Sequence, residues 1–358
     1  MGGAEYRCKL ALEYLLDKNA FEIYYVCRNL DPNFKPNGYE VVKFGNRFSR
    51  YGIYFDGFSL YKALRKIKPH IIYQNAGSGD TGLAAIYSKI HGAKLVHQIC
   101  NDNSLKRYKN TRLKTRIKRF LTSFLLDYGM KRADVIIGQS EGQDKLLKKR
   151  YGRSCDAIIP LGHPIPHNKI EKTNDIRVLW IANFKYHQKQ PELFVELANR
   201  MRHKKMVTFI MIGMSIGRKD DFYKLMEKIK KTPNLKYLGQ ISQSEVNMHL
   251  RKSHILVNTS RYEGFPNTFV QAWLSGVPVV SLNVDPDGII SREKIGYHSE
   301  KFEDLLNDVD TLITKRSVRE NMGKRAMIYA KKKHSIEDMA GNIVNIFDSL
   351  TSNQNNKI

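Results

Sequence analysis

Short apolar runs rich in β-branched and aromatic residues alternate along most of the chain with stretches whose apolar positions recur every three or four residues. In the first half, the runs at residues 21–27, 39–44, 70–74, 94–99, 134–138 and 157–160 predict strands. The stretches at 5–16, 60–67, 83–90, 113–128 and 143–150 predict the helices between them. Residues 162–175 break the pattern, because Pro164 and Pro166 allow no helix there, and this segment reads as a linker. Past it the alternation restarts, with strands expected at 178–182, 207–213, 235–238, 255–259 and 277–282. Helices are expected at 192–201, 222–230, 243–252 and 268–275, and two more, 317–333 and 336–350, close the chain. Such alternation predicts an α/β fold of doubly wound parallel sheets. The restart predicts two of them: a domain at 1–165, a second at 166–335, and a C-terminal helix within 336–358 packing back toward the first. Ligands of open parallel sheets lie beyond the carboxyl ends of the strands, so the expected site is a cleft where both sets of loops converge.

Composition narrows the setting. A chain of 358 residues, 42% hydrophobic, suits two packed cores and is neither disordered nor fibrous. The cysteines, Cys8, Cys27, Cys100 and Cys155, form no Cys-x-x-Cys pair, which argues against a zinc site or disulfide framework and fits a reducing compartment. No apolar run approaches the ~20 residues needed to span a bilayer, and no basic-then-apolar leader opens the sequence, so a cytoplasmic protein is expected. The charge is unusual: 60 Lys and Arg against 35 Asp and Glu leave +25, which favours nucleic acid, anionic lipid or phosphate-bearing substrates. Eight of the basic residues crowd into 106–119 with no acid among them, and Leu113, Ile117, Phe120, Leu121, Phe124 and Tyr128 follow at helical spacing.

The densest chemical signal is Arg261-Tyr-Glu-Gly-Phe-Pro-Asn-Thr-Phe-Val-Gln-Ala-Trp-Leu-Ser-Gly-Val-Pro-Val-Val280. It reads as a strand end, a Gly/Pro/Asn loop, a helix capped by Asn267 or Thr268, a glycine stop at Gly276, and another strand. Glu263 precedes the helix and Gln271 falls in its first turn, so both are expected to face one ligand, with the N–H groups of the first turn beside them.

This segment resembles the retaining GT-B glycosyltransferases of family four, the group 1 glycosyltransferases, whose hallmark is Glu-x7-Glu in a Glu-Gly-Phe…Glu-Ala…Gly-Val-Pro-Val-Val context. The resemblance implies two Rossmann-like domains and transfer of a sugar from a nucleoside diphosphate with retention. It places Glu263 near the transferred sugar, with Gly264, Phe265, Pro266, Asn267 and Thr268 in the donor loop, and puts Gln271 at the ribose, where the family has Glu. An amide can still hydrogen-bond a hydroxyl there, but it loses the charge-assisted strength, about 1 kcal/mol. Trp180-Ile-Ala-Asn-Phe-Lys-Tyr-His-Gln-Lys189 is similar to the family's Gly-Arg-Leu…Lys-Gly loop, which clamps the diphosphate. Lys189 falls on the Lys, Asn183 on the Arg, and Lys185 is expected to restore the missing charge. Gly2-Gly3-Ala-Glu5 resembles a glycine turn against the phosphates, although the family places a strand before it, so the first strand of the N-terminal sheet is expected to be missing. In Lys94-Leu-Val-His-Gln-Ile-Cys-Asn101 the place of an active-site His is taken by Cys100. His97 reads as a strand histidine rather than a catalytic one, and Asn101 and Asp102 face the expected cleft.

Asp285-Pro-Asp287 has the spacing of a metal-binding Asp-x-Asp but lies on the sugar side, so neither metal nor other cofactor is expected. Relatives of this kind place a basic, partly apolar patch on anionic membrane, and Lys106, Arg107, Lys109, Arg112, Lys114 and Arg116 are the expected contacts, at about 1 kcal/mol each. The expectation is therefore a peripheral enzyme at the inner face of the cytoplasmic membrane. It would act on a saccharide or lipid-linked acceptor in surface polysaccharide or glycolipid assembly. Two alternatives stand beside it. One is a catalytically impaired scaffold, motivated by Gln271, Asn183 and Cys100; the other is a polyanion- or nucleic-acid-binding protein, disfavoured because no stacking or recognition module accompanies the charge.

Overall fold

The structure, a computed structural model, describes residues 3–17, 21–28, 36, 38–45, 52–105, 113–166, 172–216 and 219–355. The elements run α1 (Gly3–Asp17), β1 (Tyr24–Cys27), β2 (Glu40–Lys43), α2 (Gly52–Ile67), β3 (Ile71–Asn75), α3 (Gly79–His91), β4 (Lys94–Gln98), α4 (Leu113–Arg132), β5 (Val135–Gly138), α5 (Glu141–Tyr151) and β6 (Ala157–Ile158). They continue with β7 (Ile176–Ile181), α6 (Tyr186–Lys189), α7 (Pro191–Arg200), β8 (Val207–Ile212), α8 (Lys219–Lys230), β9 (Leu235–Tyr237), α9 (Gln243–Lys252), β10 (Ile255–Asn258) and α10 (Asn267–Leu274). Last come β11 (Val279–Ser281), α11 (Ile289–Arg292), β12 (Gly296–His298), α12 (Phe302–Thr314), α13 (Arg316–Lys333) and α14 (Ile336–Asn355). The chain is α/β, and among the described residues every strand pair is parallel.

It divides into two compact units, Met1–Pro160 with Ile336–Ile358, and Leu161–Ser335. In unit 1 the strands form a pair, β1-β2, and a four-stranded sheet, β3-β4-β5-β6. Local signals start and stop its helices. Ser78 makes a capping box with Thr81 at the start of α3, and Gly92 ends that helix in the left-handed conformation. α3 and α4 meet backbone to backbone at Gly82 and Gly129; a Cβ on Gly82 would lie 2.3 Å from the Leu125 carbonyl oxygen. α14 packs with α1 over the sheet, where Leu10, Leu15, Val96, Ile137, Met339, Ile343 and Phe347 share one apolar cluster.

Unit 2 holds one six-stranded sheet in the order β12-β11-β10-β7-β8-β9. Its core has two halves, one on each face: Trp180, Phe194, Phe209 and Val257 belong to one, and Leu179, Leu256, Phe269 and Trp273 to the other. The alternation of Leu179 and Trp180 between clusters is the period-two signature of a strand buried on both faces. The first residues of the Pro-rich stretch expected as a linker are instead built into this unit. Ile165 packs against its core, and the His163 N–H donates to the His334 carbonyl at 3.0 Å. Sequence patterning also stopped short at α2, whose first turns precede residue 60, and it passed over α6, α11, β12 and α12.

Candidate active site

β7 and β10 are neighbours in the unit 2 sheet, with β8 continuing on one side and β11 on the other. That makes their shared boundary the place where the strand order reverses, and ligands of such sheets sit outside the carboxyl ends of the strands there. The loops leaving these two strands carry the residues singled out above: 182–190 follows β7 and 259–266 follows β10.

The two loops are stitched together through buried polar groups. The Trp180 indole N–H donates to Thr259 Oγ1 at 2.9 Å, and that hydroxyl donates in turn to the Lys189 carbonyl at 2.7 Å. The Arg261 N–H donates to the Gln188 carbonyl at 2.8 Å, and the Gln188 amide to the Tyr262 carbonyl at 3.1 Å. Gln190, at φ 46°, ends α6 in the left-handed region and is followed by Pro191 in the first turn of α7, so the chain turns sharply just after Lys189. On the other flank, Gly213 brings the end of β8 against the loop. Its φ is +142°, and a Cβ there would meet the Ala182 carbonyl oxygen at 1.9 Å, so only glycine fits.

The outcome is a direct contact between the two residues expected to do the chemistry. Lys189 Nζ lies 2.6 Å from Glu263 Oε2, both side chains being about 15% exposed, 16% and 15% respectively. The other carboxylate oxygen accepts from Asn258 Nδ2 at 3.0 Å and from Ser260 Oγ at 2.7 Å. The Ser260 N–H is itself held by Asn258 Oδ1 at 3.0 Å. Glu263 is thus fixed from three sides, with an ammonium at one oxygen and neutral donors at the other. Asn258 and Ser260 were not expected as site residues; the signal was the polar Asn-Thr-Ser run directly after the apolar Ile-Leu-Val of β10. Lys185 is exposed at the start of α6, and Asn183 Oδ1 accepts from the Met214 N–H at 3.5 Å.

α10 begins differently from the sequence expectation. Pro266, not Asn267 or Thr268, is the N-cap residue, and no side chain caps the helix among the described residues. The reason is that Pro266 already holds extended backbone, so Asn267 becomes the first helical residue. The Asn267 side chain meets His163 Nε2 at 3.1 Å instead. Gln271 is then the fifth helical residue, just past the first turn in which it was expected. It is 9% exposed, and its Nε2 donates to Asn247 Oδ1 on α9 at 3.1 Å. Phe265 is a core residue, its ring 5.3 Å from His334 and 6.2 Å from Trp273, so it anchors the loop rather than offering its face. Gly264 and Thr268 stay half-exposed beside it.

In unit 1 each expected cleft residue is held by a neighbour within the unit. Cys100 bonds to Asn75, Asn101 Oδ1 accepts from the Ser104 N–H at 3.2 Å, and Asp102 accepts from Gln143 Nε2 at 3.3 Å. His97 is fully buried with Nδ1 3.3 Å from Gln74 Oε1, and burial pulls its pKa down to about 4, so its ring is neutral. Asp285 accepts from the Ile290 N–H at 2.7 Å and from Ser291, which uses its carboxylate to start α11. Among the described residues no group of three His, Cys, Asp or Glu is placed to hold a metal ion. Gly3 is the first residue of α1 rather than part of a turn before it. Gly2, Lys106, Arg107, Lys109 and Arg112 lie outside the described residues, and Lys114 and Arg116 are described only as backbone of α4. Phe120, Leu121 and Phe124, on the next turns of α4, are 69%, 39% and 60% exposed. No helix among the described residues is long and apolar enough to cross a membrane.

Residues 1–164 match the family model described as Glycosyltransferase Family 4, and residues 165–328 the one described as Glycosyl transferases group 1. One relative, the Vi polysaccharide biosynthesis protein VipC/TviE of Salmonella typhi, is 27% identical over 147 residues, 38% of this chain and 25% of that protein. A second, an uncharacterized 41.2 kDa protein in the cps region of Klebsiella pneumoniae, is 26% identical over 185 residues, 51% of this chain and 48% of that protein. The matched segments thus span less than half the length of either relative. Among solved structures, Anabaena Alr3699/HepE in complex with UDP-glucose superposes with a TM-score of 0.76 at 16% identity, covering 98% of this chain and 96% of that one, a likeness of fold. With both of its halves matched by glycosyltransferase family models and its fold shared with such structures, the chain belongs to the glycosyltransferases of the GT-B type.

Proposed function

We propose that the chain transfers a hexose-type sugar from a nucleoside diphosphate to a saccharide or lipid-linked saccharide, with retention at the anomeric carbon. The observation that carries this reading is the Lys189–Glu263 pair at the switch point of the unit 2 sheet, beside an α10 N-terminus that no side chain caps among the described residues. When the bond between the anomeric carbon and the diphosphate oxygen breaks, negative charge grows on the diphosphate. A fixed ammonium at Lys189, joined by Lys185 from the same loop, stabilises that charge, and the first-turn N–H groups of α10 add to it. Glu263, held by Asn258 and Ser260, orients the sugar, and Gln271 offers its amide to a ribose hydroxyl. The HepE complexes with UDP and UDP-glucose support a uridine nucleotide as the first donor to try. No cofactor or metal enters this scheme.

The relative named for polysaccharide biosynthesis supports a role in surface polysaccharide or glycolipid assembly. The basic run at 106–119, followed by exposed Phe120, Leu121 and Phe124, supports residence on an anionic cytoplasmic membrane face, with apolar side chains entering the interface beneath cationic ones. The test is a screen of UDP-, GDP- and ADP-sugars for thermal stabilisation, followed by donor hydrolysis and transfer assays with the anomeric product read by NMR. Stabilisation by none of them, with no donor turnover, would favour a scaffold without activity; an inverted product would overturn retention.

A further inference from the structure

Past its first two residues α10 is core. Phe269, Val270, Ala272, Trp273 and Leu274 belong to one apolar cluster, and Gln271 is buried with them. α9 packs beside it: Leu250 joins that cluster, Val246 lies against it, and the Ser242–Glu245 capping box fixes where α9 begins. Between Val246 and Leu250 sits Asn247, whose Oδ1 accepts two hydrogen bonds. One comes from Gln271 Nε2 at 3.1 Å, and the other from Gln243 Nε2, one turn earlier on α9, also at 3.1 Å.

This arrangement decides which end of the Gln271 amide remains for a ligand. Its NH2 is spent on α9, so Oε1 is the end left over. That oxygen has no donor among the described residues and is not sealed from solvent. A free glutamine can present either its donors or its acceptor, since the amide turns over at little cost. A carbonyl at 247 removes the choice, and Gln243 holds that carbonyl in turn. Gln271 therefore offers a hydroxyl what a carboxylate would offer, an acceptor oxygen, without the charge. The two residues are matched: a carboxylate at 271 would have no N–H to give, and the Asn247 amide would have to turn to meet it. Holding the side chain before the ligand arrives also spares the rotamer freedom that a loose glutamine loses on binding.

We propose that Asn247 is a positioning residue for nucleotide recognition, turning Gln271 so that Oε1 accepts from one ribose hydroxyl of a bound nucleoside diphosphate. This role rests on Gln271 meeting the ribose, and the two can fail separately.

The test is a binding ratio. Wild type is titrated calorimetrically with UDP, GDP and ADP, and the tightest of them is compared with its 2′-deoxy and 3′-deoxy forms. Wild type should prefer the full ribose to one of the deoxy forms by about fivefold, the size of one neutral hydrogen bond. Asn247→Ala and Asn247→Leu should bring that ratio within about twofold of unity and leave affinity for the deoxy form unchanged, which general damage to the site would not do. Whichever of the two variants melts near wild type decides. Asn247→Asp keeps the acceptor and should keep the ratio, because any repulsion between its charge and the diphosphate weakens both ligands alike. Gln271→Ala should lose the ratio as fully as Asn247→Ala. A ratio that Gln271→Ala abolishes but Asn247→Ala and Asn247→Leu leave unchanged overturns the role of Asn247 alone. So does a loss in Asn247→Asp as complete as in Asn247→Ala, because the Gln271 NH2 then faces the ligand. A wild-type chain that binds no nucleotide of the series, or binds both deoxy forms as well as their parent, overturns the ribose assignment of Gln271 and the role of Asn247 with it. A ratio that survives Gln271→Ala does the same.

Discussion

Replacing Glu263 by Gln keeps the size and shape of the side chain and removes its charge, which makes it the sharpest probe of the unit 2 site. In the native structure one carboxylate oxygen accepts from Asn258 and Ser260 while the other lies 2.6 Å from the Lys189 ammonium. The amide oxygen of Gln can keep the first two bonds. Its NH2 then faces the ammonium, donor against donor, and Lys189 loses its anion in a place where only 16% of its side chain meets water. Removing one partner of a well-buried pair costs about 3–5 kcal/mol, and a single charge-assisted hydrogen bond contributes about 1.5–3 kcal/mol. The partial exposure places Glu263→Gln near 2–3 kcal/mol of destabilisation. For a domain of about 150–250 residues that is roughly 5–10 °C in melting temperature. Glu263→Ala should lose more, because Asn258 and Ser260 also lose their acceptor. Turnover should fall about 100-fold or more in both, in line with loss of a contact made in the transition state. Urea unfolding by far-UV circular dichroism gives the stability, and donor hydrolysis gives the rate. A Gln variant within about 0.5 kcal/mol of wild type that also turns over within threefold of it would refute both the pair's contribution and the assignment.

Gln271→Glu should hold or tighten nucleotide binding in calorimetry, since a carboxylate bonds a ribose hydroxyl more strongly than an amide does; a tenfold loss would mean that Gln271 does not meet the ribose. Reversing Lys106, Arg107 and Lys109 to Glu should release the protein from anionic vesicles and leave nucleotide binding unchanged, and wild-type binding should fade with salt as the Debye length drops from ~10 Å at 0.1 M to ~3 Å at 1 M. Vesicle sedimentation checks this, and a reversed variant that still pellets refutes it. Acid should weaken the fold before the carboxylates titrate. Burial holds His97, His254 and His334 each at about 4, below the ordinary 6.5, with the Lys172 and Arg319 charges adding to the effect at His254. The unfolded chain therefore binds more protons between these values, and stability is full above pH 6.5 and falls toward pH 4, by at most about 1.4 kcal/mol per pH unit for each histidine. His334→Asn, whose amide takes the place of Nδ1 and can still donate to the Leu161 carbonyl, should flatten that slope by about one proton in pH-dependent urea unfolding.

Much of unit 2 was readable because its strands are continuous apolar runs and its helices carry local stop and start signals. The helix at 243–252 is bounded by the Ser242–Glu245 capping box and emerges as α9 with the same limits. The first turns of α2 hold Gly52 and Gly57 among aromatic residues, a composition with little helical signal. β12 is three residues long and takes its place only by pairing with β11. In the site, Glu263 and Lys189 could be named from their motifs. Their contact could not, because it depends on β7 and β10 being neighbours across 74 positions of sequence (263 less 189). Gln271 and Asn247 meet for the same kind of reason, through the packing of α9 on α10. The N-cap falls on Pro266 because that residue holds extended backbone, with ψ at 124°, and helical backbone begins directly after it, ahead of the capping preference of Asn or Thr.

The bond from Trp180 to Thr259 also sets what light can report about this molecule. The chain has two tryptophans, Trp180 and Trp273, and both are buried in unit 2. Indole emission is therefore silent about unit 1, whose optical signal comes from tyrosine and from backbone dichroism. Backbone dichroism reports both units, so in one denaturation experiment the part of its change that indole emission does not follow belongs to unit 1. Trp180 adds a second use, because its N–H is one hydroxyl away from the Lys189 carbonyl. Anything that draws the Lys189 loop toward a bound phosphate alters the polarity around that indole. A shift in its emission on adding nucleotide then registers occupancy directly, with no label and no turnover.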